Sequence, residues 1–241
     1  MYGFRRLPRY PMSEASPAYC VATVRPWNVL QFETTIRHLP GHWHLISEQS
    51  DLTLEKLQAI GPKAIFFPHW NWKVPDQIVS AFECVAFHAA PLPYGKGGSP
   101  VQNMIEQGFE RTKLTAFRMN AGFDDGDIYL QRDLSLAGSA HDIFIRMAEL
   151  TASMIGDMIG QWPTPVPQVG EVVTFKRRKP EQSRLDGSRT LARLYDHIRM
   201  LDAPEYPKSF IEIENTRIEF SDAEFEDGAL RATATFRKIE P

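Results

Sequence analysis

The chain has 241 residues, 43% hydrophobic and 24% charged, with a formal net charge of −3. This composition is typical of a soluble globular protein with one main core and a small appendage. The slightly acidic balance argues against broad nucleic-acid binding, and no run approaches the roughly 18 apolar residues of a membrane span. Because Cys20 and Cys84 lie in apolar runs, we expect buried free thiols in a cytoplasmic protein.

Short apolar segments alternate with amphipathic ones through the first part of the chain. Residues 1–17 are predicted to be a flexible lead-in, with Met12 as an alternative start to Met1. Strands are predicted at 18–24, 43–47 and 64–67, and helices at 29–39 after an Asn28 cap, at 54–60 and at 75–82. The alternation predicts βαβ units on a mainly parallel, Rossmann-like sheet. Neither Gly-x-Gly-x-x-Gly nor a Walker loop occurs, so we expect no dinucleotide or P-loop site.

The next stretch places polar side chains at two strand ends. An apolar run from Cys84 to Phe87 ends at His88, and a Pro/Gly-rich loop follows it. Ser99 and Pro100 predict the start of a helix, since serine caps helices and proline fits their first turn. A second strand, 114–119, leads into a loop with three aspartates. Strand ends and the loops after them are where α/β folds place their chemistry.

The remainder predicts a strand at 128–136, a long helix at 140–162 and a Pro-rich linker at 163–167. A helix at 191–201 follows, and the last forty residues alternate as in a small antiparallel β unit. We therefore expect a catalytic domain at 18–180 and a C-terminal module, one helix plus antiparallel strands, at 181–241.

Three motifs in the central stretch resemble the N10-formyltetrahydrofolate-dependent formyltransferases. They are Ala86-Phe87-His88-Ala89-Ala90-Pro91-Leu92-Pro93, Gly97-Gly98-Ser99-Pro100-Val101-Gln102 and Phe123-Asp124-Asp125-Gly126. The segments Arg177-Arg178-Lys179-Pro180 and Tyr206-Pro207 resemble those of nucleotide-sugar N-formyltransferases. Within that group, the chain is most similar to enzymes of the pseudaminic acid pathway type. The resemblance implies a Rossmann-like formyltransferase domain and a C-terminal β module.

The resemblance also implies catalytic roles. His88 corresponds to the family's acid–base histidine and Asp124 to the aspartate that orients it, although a strand-closing histidine and a turn aspartate are the plain alternative. The family's catalytic asparagine is replaced by Ala86, which has no hydrogen-bond donor on its side chain. We rank Asn103 first as its substitute. Further candidates are Gln102, Asn71, Asn120 and a backbone N–H in the loop 88–92.

For the formyl donor, N10-formyltetrahydrofolate, the implied contacts are Phe87, Pro91, Leu92, Met119, Phe123 and Asp124. For the acceptor, the expected contacts are His69, Trp70, Trp72, Tyr94, Lys96, Gly97, Ser99 and Arg177. The tryptophans present faces suited to stacking on a nucleobase or pterin, or they pack beneath the sheet edge. His42 and His44 lack neighbouring cysteine or carboxylate ligands, so no metal site is expected.

The expected reaction transfers a formyl group to the 4-amino group of a nucleotide-linked amino-dideoxy sugar, with a UDP-linked sugar favoured. A tRNA acceptor is disfavoured because the basic residues cluster only at 176–179. The alternatives are a formyltetrahydrofolate hydrolase and a catalytically dead protein that binds folate or nucleotide sugar. Exposed strand edges in the C-terminal module suggest a homodimer.

Overall fold

The structure is a computed structural model and describes residues 16–239. The lead-in predicted at 1–17 falls outside these residues except for its last two. The helices are α1 Pro26–Thr34, α2 Leu54–Ile60, α3 Asp76–Ala81, α4 Pro100–Glu106, α5 Ala140–Gly160 and α6 Leu191–Arg199. The strands are β1 Ala18–Ala22, β2 His42–Ile46, β3 Ala64–Pro68, β4 Cys84–His88, β5 Tyr94–Gly97, β6 Arg111–Arg118, β7 Ile128–Ser135, β8 Val173–Phe175, β9 Ser209–Ile213, β10 Thr216–Glu226 and β11 Ala229–Lys238.

A six-stranded sheet in the order β2-β1-β3-β4-β6-β7 forms the centre of the fold. The pairs among β1 to β4 are parallel, whereas β6 and β7 join antiparallel. All five residues of β3 are buried, as expected for a central strand covered on both faces. The predicted α/β class with a mainly parallel sheet is confirmed.

Helix α5 is the longest helix that the structure describes, and it packs along the sheet. Its N-terminus is closed by a reciprocal capping box, in which the Ser139 hydroxyl accepts from the Asp142 N–H at 3.2 Å and the Asp142 carboxylate accepts from the Ser139 N–H at 2.9 Å. Its predicted apolar face is buried through Ile143, Met154 and Met158, so the methionines are core residues.

Two cap predictions need correction. Helix α1 begins at Pro26 after Arg25, and Asn28 lies buried inside it, where its amide donates to the Pro68 carbonyl at 3.4 Å. Proline fits the first helical position because its missing N–H is not needed there. Ser99 does precede α4, but its φ is 53° and its hydroxyl accepts from the Arg178 N–H at 3.2 Å instead of capping the helix.

Strands β5 and β8 form a small parallel pair that the sequence did not predict. At the C-terminus, β9, β10 and β11 form an antiparallel sheet, as expected, and α6 packs against β10.

Cys20 and Cys84 are buried free thiols, and burial raises the pKa of each to about 12. Within residues 16–239, no helix combines the length and the apolar character needed to cross a bilayer.

Candidate active site

A cleft of about 900 Å³ crosses the sheet at the ends of β3 and β4. The loops after β1, β3 and β6 and the Gly-rich segment before α4 line it, and two C-terminal segments, 177–180 and 205–207, complete its wall. Residues from both ends of the chain therefore meet here. A cleft of this size suits small-molecule ligands.

His88 lies at the end of β4, nearly buried, with its two ring nitrogens in different environments. Nε2 is 2.7 Å from the Gly95 carbonyl oxygen. Since a carbonyl only accepts, Nε2 carries the proton, and in the neutral ring Nδ1 keeps its lone pair. Nδ1 lies 3.9 Å from Asp124 Oδ2, which is too long for a hydrogen bond but close enough for charge to matter. The arrangement prepares Nδ1 to receive a proton beside a carboxylate.

Several contacts hold Asp124 in place. Its Oδ2 accepts the Gly97 N–H at 2.9 Å, and its backbone has a left-handed φ of 55°. The Gln168 side chain reaches in from the segment after the Pro-rich linker and donates to the Asp124 and Gly126 carbonyls at 2.8 and 2.9 Å. Next to it, Asp125 pairs with Lys96. The β5 segment and the linker thus fix this loop from two sides.

Gly97 is required by the geometry of the β5–β8 pair. Its φ is 99°, and a Cβ there would lie 2.3 Å from the Phe175 carbonyl oxygen. Such a backbone conformation favours glycine. The absence of a side chain lets β8 approach closely while the Gly97 N–H reaches Asp124.

A second polar cluster also lines the cleft. Arg25 donates to Glu205 at 2.6 Å and to the Asn71 side-chain oxygen at 3.2 Å, and its guanidinium lies 5.4 Å from the centre of the Tyr206 ring. The Tyr206 hydroxyl lies 3.0 Å from His69 Nε2. Burial, with help from the nearby Arg25 charge, lowers the pKa of His69 to about 3, so this ring is neutral at physiological pH.

The structure brings most of the expected site residues into the cleft. Those that line it are Phe87, His88, Met119, Phe123, Asp124, His69, Trp70, Trp72, Gly97, Ser99 and Arg177. Phe123 is 73% exposed and Trp72 39% exposed, which leaves two aromatic side chains open for stacking. Trp70 is half-buried, packs edge-on against Phe67 and has its indole N–H buried without a partner.

Five expected contacts do not line the cleft and are corrected here. Pro91 and Leu92 lie in the turn behind His88, where Leu92 is buried in the core. The Tyr94 hydroxyl donates to Gln107 at 2.8 Å, and Lys96 is engaged by Asp125. Both side chains are therefore engaged by neighbouring residues. The fifth is Asn103.

Asn103 does not supply the missing donor. Its amide nitrogen donates to the Gly98, Ser99 and Lys176 carbonyls at 2.9, 3.0 and 3.2 Å, which ties the Gly-rich loop to the segment after β8. Gln102 does line the cleft, but its amide donates to the Met200 carbonyl at 3.2 Å. Asn103 is therefore fully engaged, whereas the Met200 carbonyl takes one of the two N–H groups of Gln102.

Sequence reasoning missed Arg25, Glu205 and Tyr206 as cleft residues. Tyr206 belongs to one of the segments that resemble sugar N-formyltransferases, and no motif in the sequence points to Arg25 or Glu205. The available signal was weak, because Arg25 and Glu205 are 180 positions apart and pair only in the fold. No group of three or more His, Cys, Asp or Glu side chains between residues 16 and 239 is arranged to hold a metal ion.

A parallel-stranded α/β sheet with an acid–base pair at a strand end has the architecture of an enzyme. Residues 28–149, half of the chain, match the family described as formyl transferase, and residues 180–237 match the methionyl-tRNA formyltransferase C-terminal domain. The chain belongs to the formyl transferase family. The resemblance seen in the sequence is confirmed.

Individual relatives add detail. A solved structure described as methionyl-tRNA formyltransferase from Clostridium thermocellum is 38% identical, with a TM-score of 0.90, and covers 92% of this chain and 99% of that one. The methionyl-tRNA formyltransferase of Sinorhizobium medicae (strain WSM419) is 32% identical over 154 residues, 58% of this chain and 48% of that protein. The chain spans about half the length of the curated relatives it matches.

A solved 4-N formyltransferase from Francisella tularensis shares the fold. It is 16% identical, with a TM-score of 0.63, and covers 93% of this chain and 98% of that one.

The cleft residues fit a reduced folate. Phe87, Met119 and Phe123 offer apolar and aromatic surface in the cleft. A flat heteroaromatic ring system is suited to stacking on such side chains. The cleft thus combines this apolar surface with the polar cluster around Arg25 and His69.

Proposed function

We propose that the protein transfers a formyl group from N10-formyltetrahydrofolate to the 4-amino group of a nucleotide-linked amino-dideoxy sugar, with UDP-linked sugars favoured. The observation that carries this proposal is the pairing of His88 with Asp124 at the base of a cleft in a member of the formyl transferase family. The cleft has room for two small molecules in contact.

The folate supplies the formyl group, attached at N10. Phe87, Met119 and the exposed ring of Phe123 bind its ring system in the cleft. The Asp124 loop, fixed by Gln168 and Gly97, sets the position of the donor relative to His88. Such fixed positioning of reacting groups is a large part of the rate acceleration in group transfer.

His88 handles the proton. The acceptor amine forms a bond to the formyl carbon, and Nδ1 of His88 takes the proton that the amine loses. Asp124 then stabilises the imidazolium, since a carboxylate about 4 Å away favours the charged ring. The same proton passes from Nδ1 to the departing folate nitrogen as its bond to the formyl carbon breaks, so the enzyme returns to its starting state.

The acceptor side supports an anionic ligand. Arg177 and Lys179 line the cleft, are exposed, and form no ion pair within residues 16–239. Arg25, Lys73 and Arg178, which also line it, are paired with Glu205, Asp76 and Glu106. The two unpaired cations are suited to a diphosphate, and Trp72 offers a stacking surface for a base.

A tRNA acceptor is the second candidate, because the relatives at 38% and 32% identity carry the name methionyl-tRNA formyltransferase. The net charge of −3 and the small number of unpaired cleft cations favour the smaller acceptor. Formate release to water and ligand binding without turnover remain outcomes of the test below.

The test is a turnover assay with N10-formyltetrahydrofolate and three sets of acceptors: UDP- and dTDP-linked 4-amino-4,6-dideoxy sugars, and initiator methionyl-tRNA. Mass spectrometry reads the product, and His88→Ala is the control, expected to lower kcat by about 10²–10⁴-fold. A formylated sugar supports the proposal. A formylated tRNA alone, formate without a formylated acceptor, or no turnover would each contradict it.

The proposal also includes a homodimer and a cytoplasmic location. In the dimer, the long edge strand β11, exposed from Arg231 onward, would pair with a second copy. Light scattering at monomer mass would reject the dimer, and cell fractionation would check the location.

A further inference from the structure

The cleft lacks the hydrogen-bond donor that the family places two residues before the histidine. Ala86 occupies that position and lines the cleft beside His88. Formyl transfer passes through an intermediate with a negatively charged oxygen, which a fixed donor stabilises strongly. Asn103 and one N–H of Gln102 are engaged by carbonyls elsewhere, which leaves the position open to a donor from another element that lines the cleft.

Tyr206 reaches the right part of the cleft. Strands β3 and β4 are parallel neighbours with Pro68 opposite Phe87, so the next residues, His69 and His88, leave the sheet side by side, about 5 Å apart at their backbones. The Tyr206 hydroxyl lies 3.0 Å from His69 Nε2. It is therefore one hydrogen bond away from the immediate neighbour of the acid–base histidine.

Hydrogen bonding to His69 leaves the Tyr206 proton available. His69 is neutral, so only one ring nitrogen carries hydrogen, and Nδ1 is buried with no hydrogen-bond partner among residues 16–239. If Nδ1 carried that hydrogen, a donor would be buried unpaired, which is rarer in proteins than an under-satisfied acceptor. The favoured tautomer has Nε2–H donating to the Tyr206 oxygen. The phenol O–H then has no protein acceptor among residues 16–239 and faces the cleft that Tyr206 lines.

The surrounding residues hold this hydroxyl in place and keep it protonated. The Tyr206 ring packs on Phe144 with centroids 5.0 Å apart, and Arg25 lies over its face. Burial raises the pKa of Tyr206, an effect that the nearby Arg25 and Arg177 charges partly oppose. The preceding residue, Glu205, has a left-handed φ of 64°, which is a strained conformation for a non-glycine residue.

We propose that the Tyr206 hydroxyl donates a hydrogen bond to the formyl oxygen, in the role that an asparagine at position 86 fills elsewhere in the family, and that His69 positions it. This inference rests on the proposed formyl-transfer function. It makes Tyr206 a catalytic residue contributed by the C-terminal part of the chain.

The first test measures binding, so it needs no acceptor. The dissociation constants of N10-formyl-5,8-dideazafolate and unformylated 5,8-dideazafolate are compared by calorimetry. Wild type is expected to bind the formylated compound more tightly. Tyr206→Phe should reduce this ratio of dissociation constants by about three- to tenfold, which is the effect of losing one neutral hydrogen bond. Equal preference in the two proteins, or no preference in wild type, would overturn the proposal.

The second test uses rescue. Tyr206→Phe is expected to lower kcat by about 10²–10³-fold, and adding Ala86→Asn to it should restore both kcat and the binding preference in part. If Tyr206 had only a structural role, an amide at position 86 would not restore the activity of Tyr206→Phe. Tyr195→Phe, on α6 outside the cleft, is the matched control and should match wild type. A loss in Asn71→Ala with none in Tyr206→Phe would assign the role to Asn71 instead.

The outcomes separate this inference from the proposed function. If wild type transfers no formyl group but shows the Tyr206-dependent binding preference, the function fails and the assignment of Tyr206 stands. If wild type transfers the group and Tyr206→Phe changes neither kcat nor the preference, the function stands and the assignment fails.

Discussion

His197 on α6 is a buried histidine whose two ring nitrogens have no well-formed hydrogen bond. Burial lowers its pKa to about 4 from 6.5, and the Arg178 and Arg189 charges add to this, while Glu106 and the Gln182 backbone oppose it slightly. Above pH 6.5 the residue is neutral in both states. Between pH 6.5 and 4 the unfolded chain binds a proton at this residue and the folded chain does not. The free energy of unfolding therefore decreases as the pH is lowered through this range.

We therefore expect His197→Leu to flatten the pH dependence of stability. In wild type, His197 lowers the free energy of unfolding by about 1.4 kcal/mol for each pH unit between 6.5 and 4. His69 adds to this decrease. Urea unfolding at pH 7, 6, 5 and 4.5 measures it. Leu191→Gln, at an exposed position of the same helix, is the control. An unchanged slope in His197→Leu would show that the ring takes up its proton over the same pH range in the folded and unfolded states.

At the scale of single residues, the sequence predicted a His–Asp pair, and the structure brings His88 and Asp124 to 3.9 Å, while their catalytic role stays a prediction. His88 and Asp124 belong to short local motifs that can be identified without a fold. Tyr206 and His69 are 137 positions apart, so their contact depends on the fold. Two carbonyl partners of Asn103 lie within five positions of it, but the third, Lys176, comes near only through the packing of the segment after β8.

At the scale of elements, the Gln168 side chain connects the segment after the Pro-rich linker to the loop that carries Asp124. Gln168 donates to the carbonyls of Asp124 and Gly126. Gln168→Ala should leave Asp124 less well positioned and lower kcat by about tenfold with a small change in KM. The lost hydrogen bonds should cost about 1–3 kcal/mol of stability. Steady-state kinetics and thermal melting measure both, with the exposed Val169→Ala as control. A change confined to KM would contradict this role.

The β5–β8 pair is the second element whose loss should be measurable. In Gly97→Ala the new Cβ would collide with the Phe175 carbonyl, and the φ of 99° would be strained, so we expect a loss of about 3 kcal/mol or more. Gly187→Ala, where a Cβ would meet nothing within 4 Å, is the matched control. Denaturant unfolding compares the two, and equal stability would show that β8 can move away without cost.

The same pair shows which elements a sequence pattern can predict. Strands β1, β3 and β4 of the central sheet are runs of mostly buried apolar residues, and α5 has a long apolar face, so periodicity predicts them. Strand β5 has the sequence Tyr-Gly-Lys-Gly, and β8 is three residues long. Glycine is depleted in strands, so neither segment carries a strand signal, and their pairing depends on a close backbone contact that only the fold reveals.

Over the whole molecule, charge separates the two acceptor candidates. Only Arg177 and Lys179 line the cleft as unpaired cations within residues 16–239, so binding a nucleotide sugar releases few counterions. We expect the acceptor KM to rise about tenfold at most between 50 and 200 mM salt, whereas a nucleic acid that contacts six or more phosphates would lose about 10³-fold or more. Initial rates against acceptor concentration at several salt concentrations measure this.

Charge variants sharpen that measurement. The Arg177→Ala/Lys179→Ala double variant should raise the acceptor KM at low salt and flatten its salt dependence, with kcat nearly unchanged because neither residue contacts the His88–Asp124 pair. Lys113→Ala, a paired surface lysine on β6, controls for the change in net charge. A steep salt dependence that survives in the double variant would place the anion-binding surface outside the cleft and favour a macromolecular acceptor.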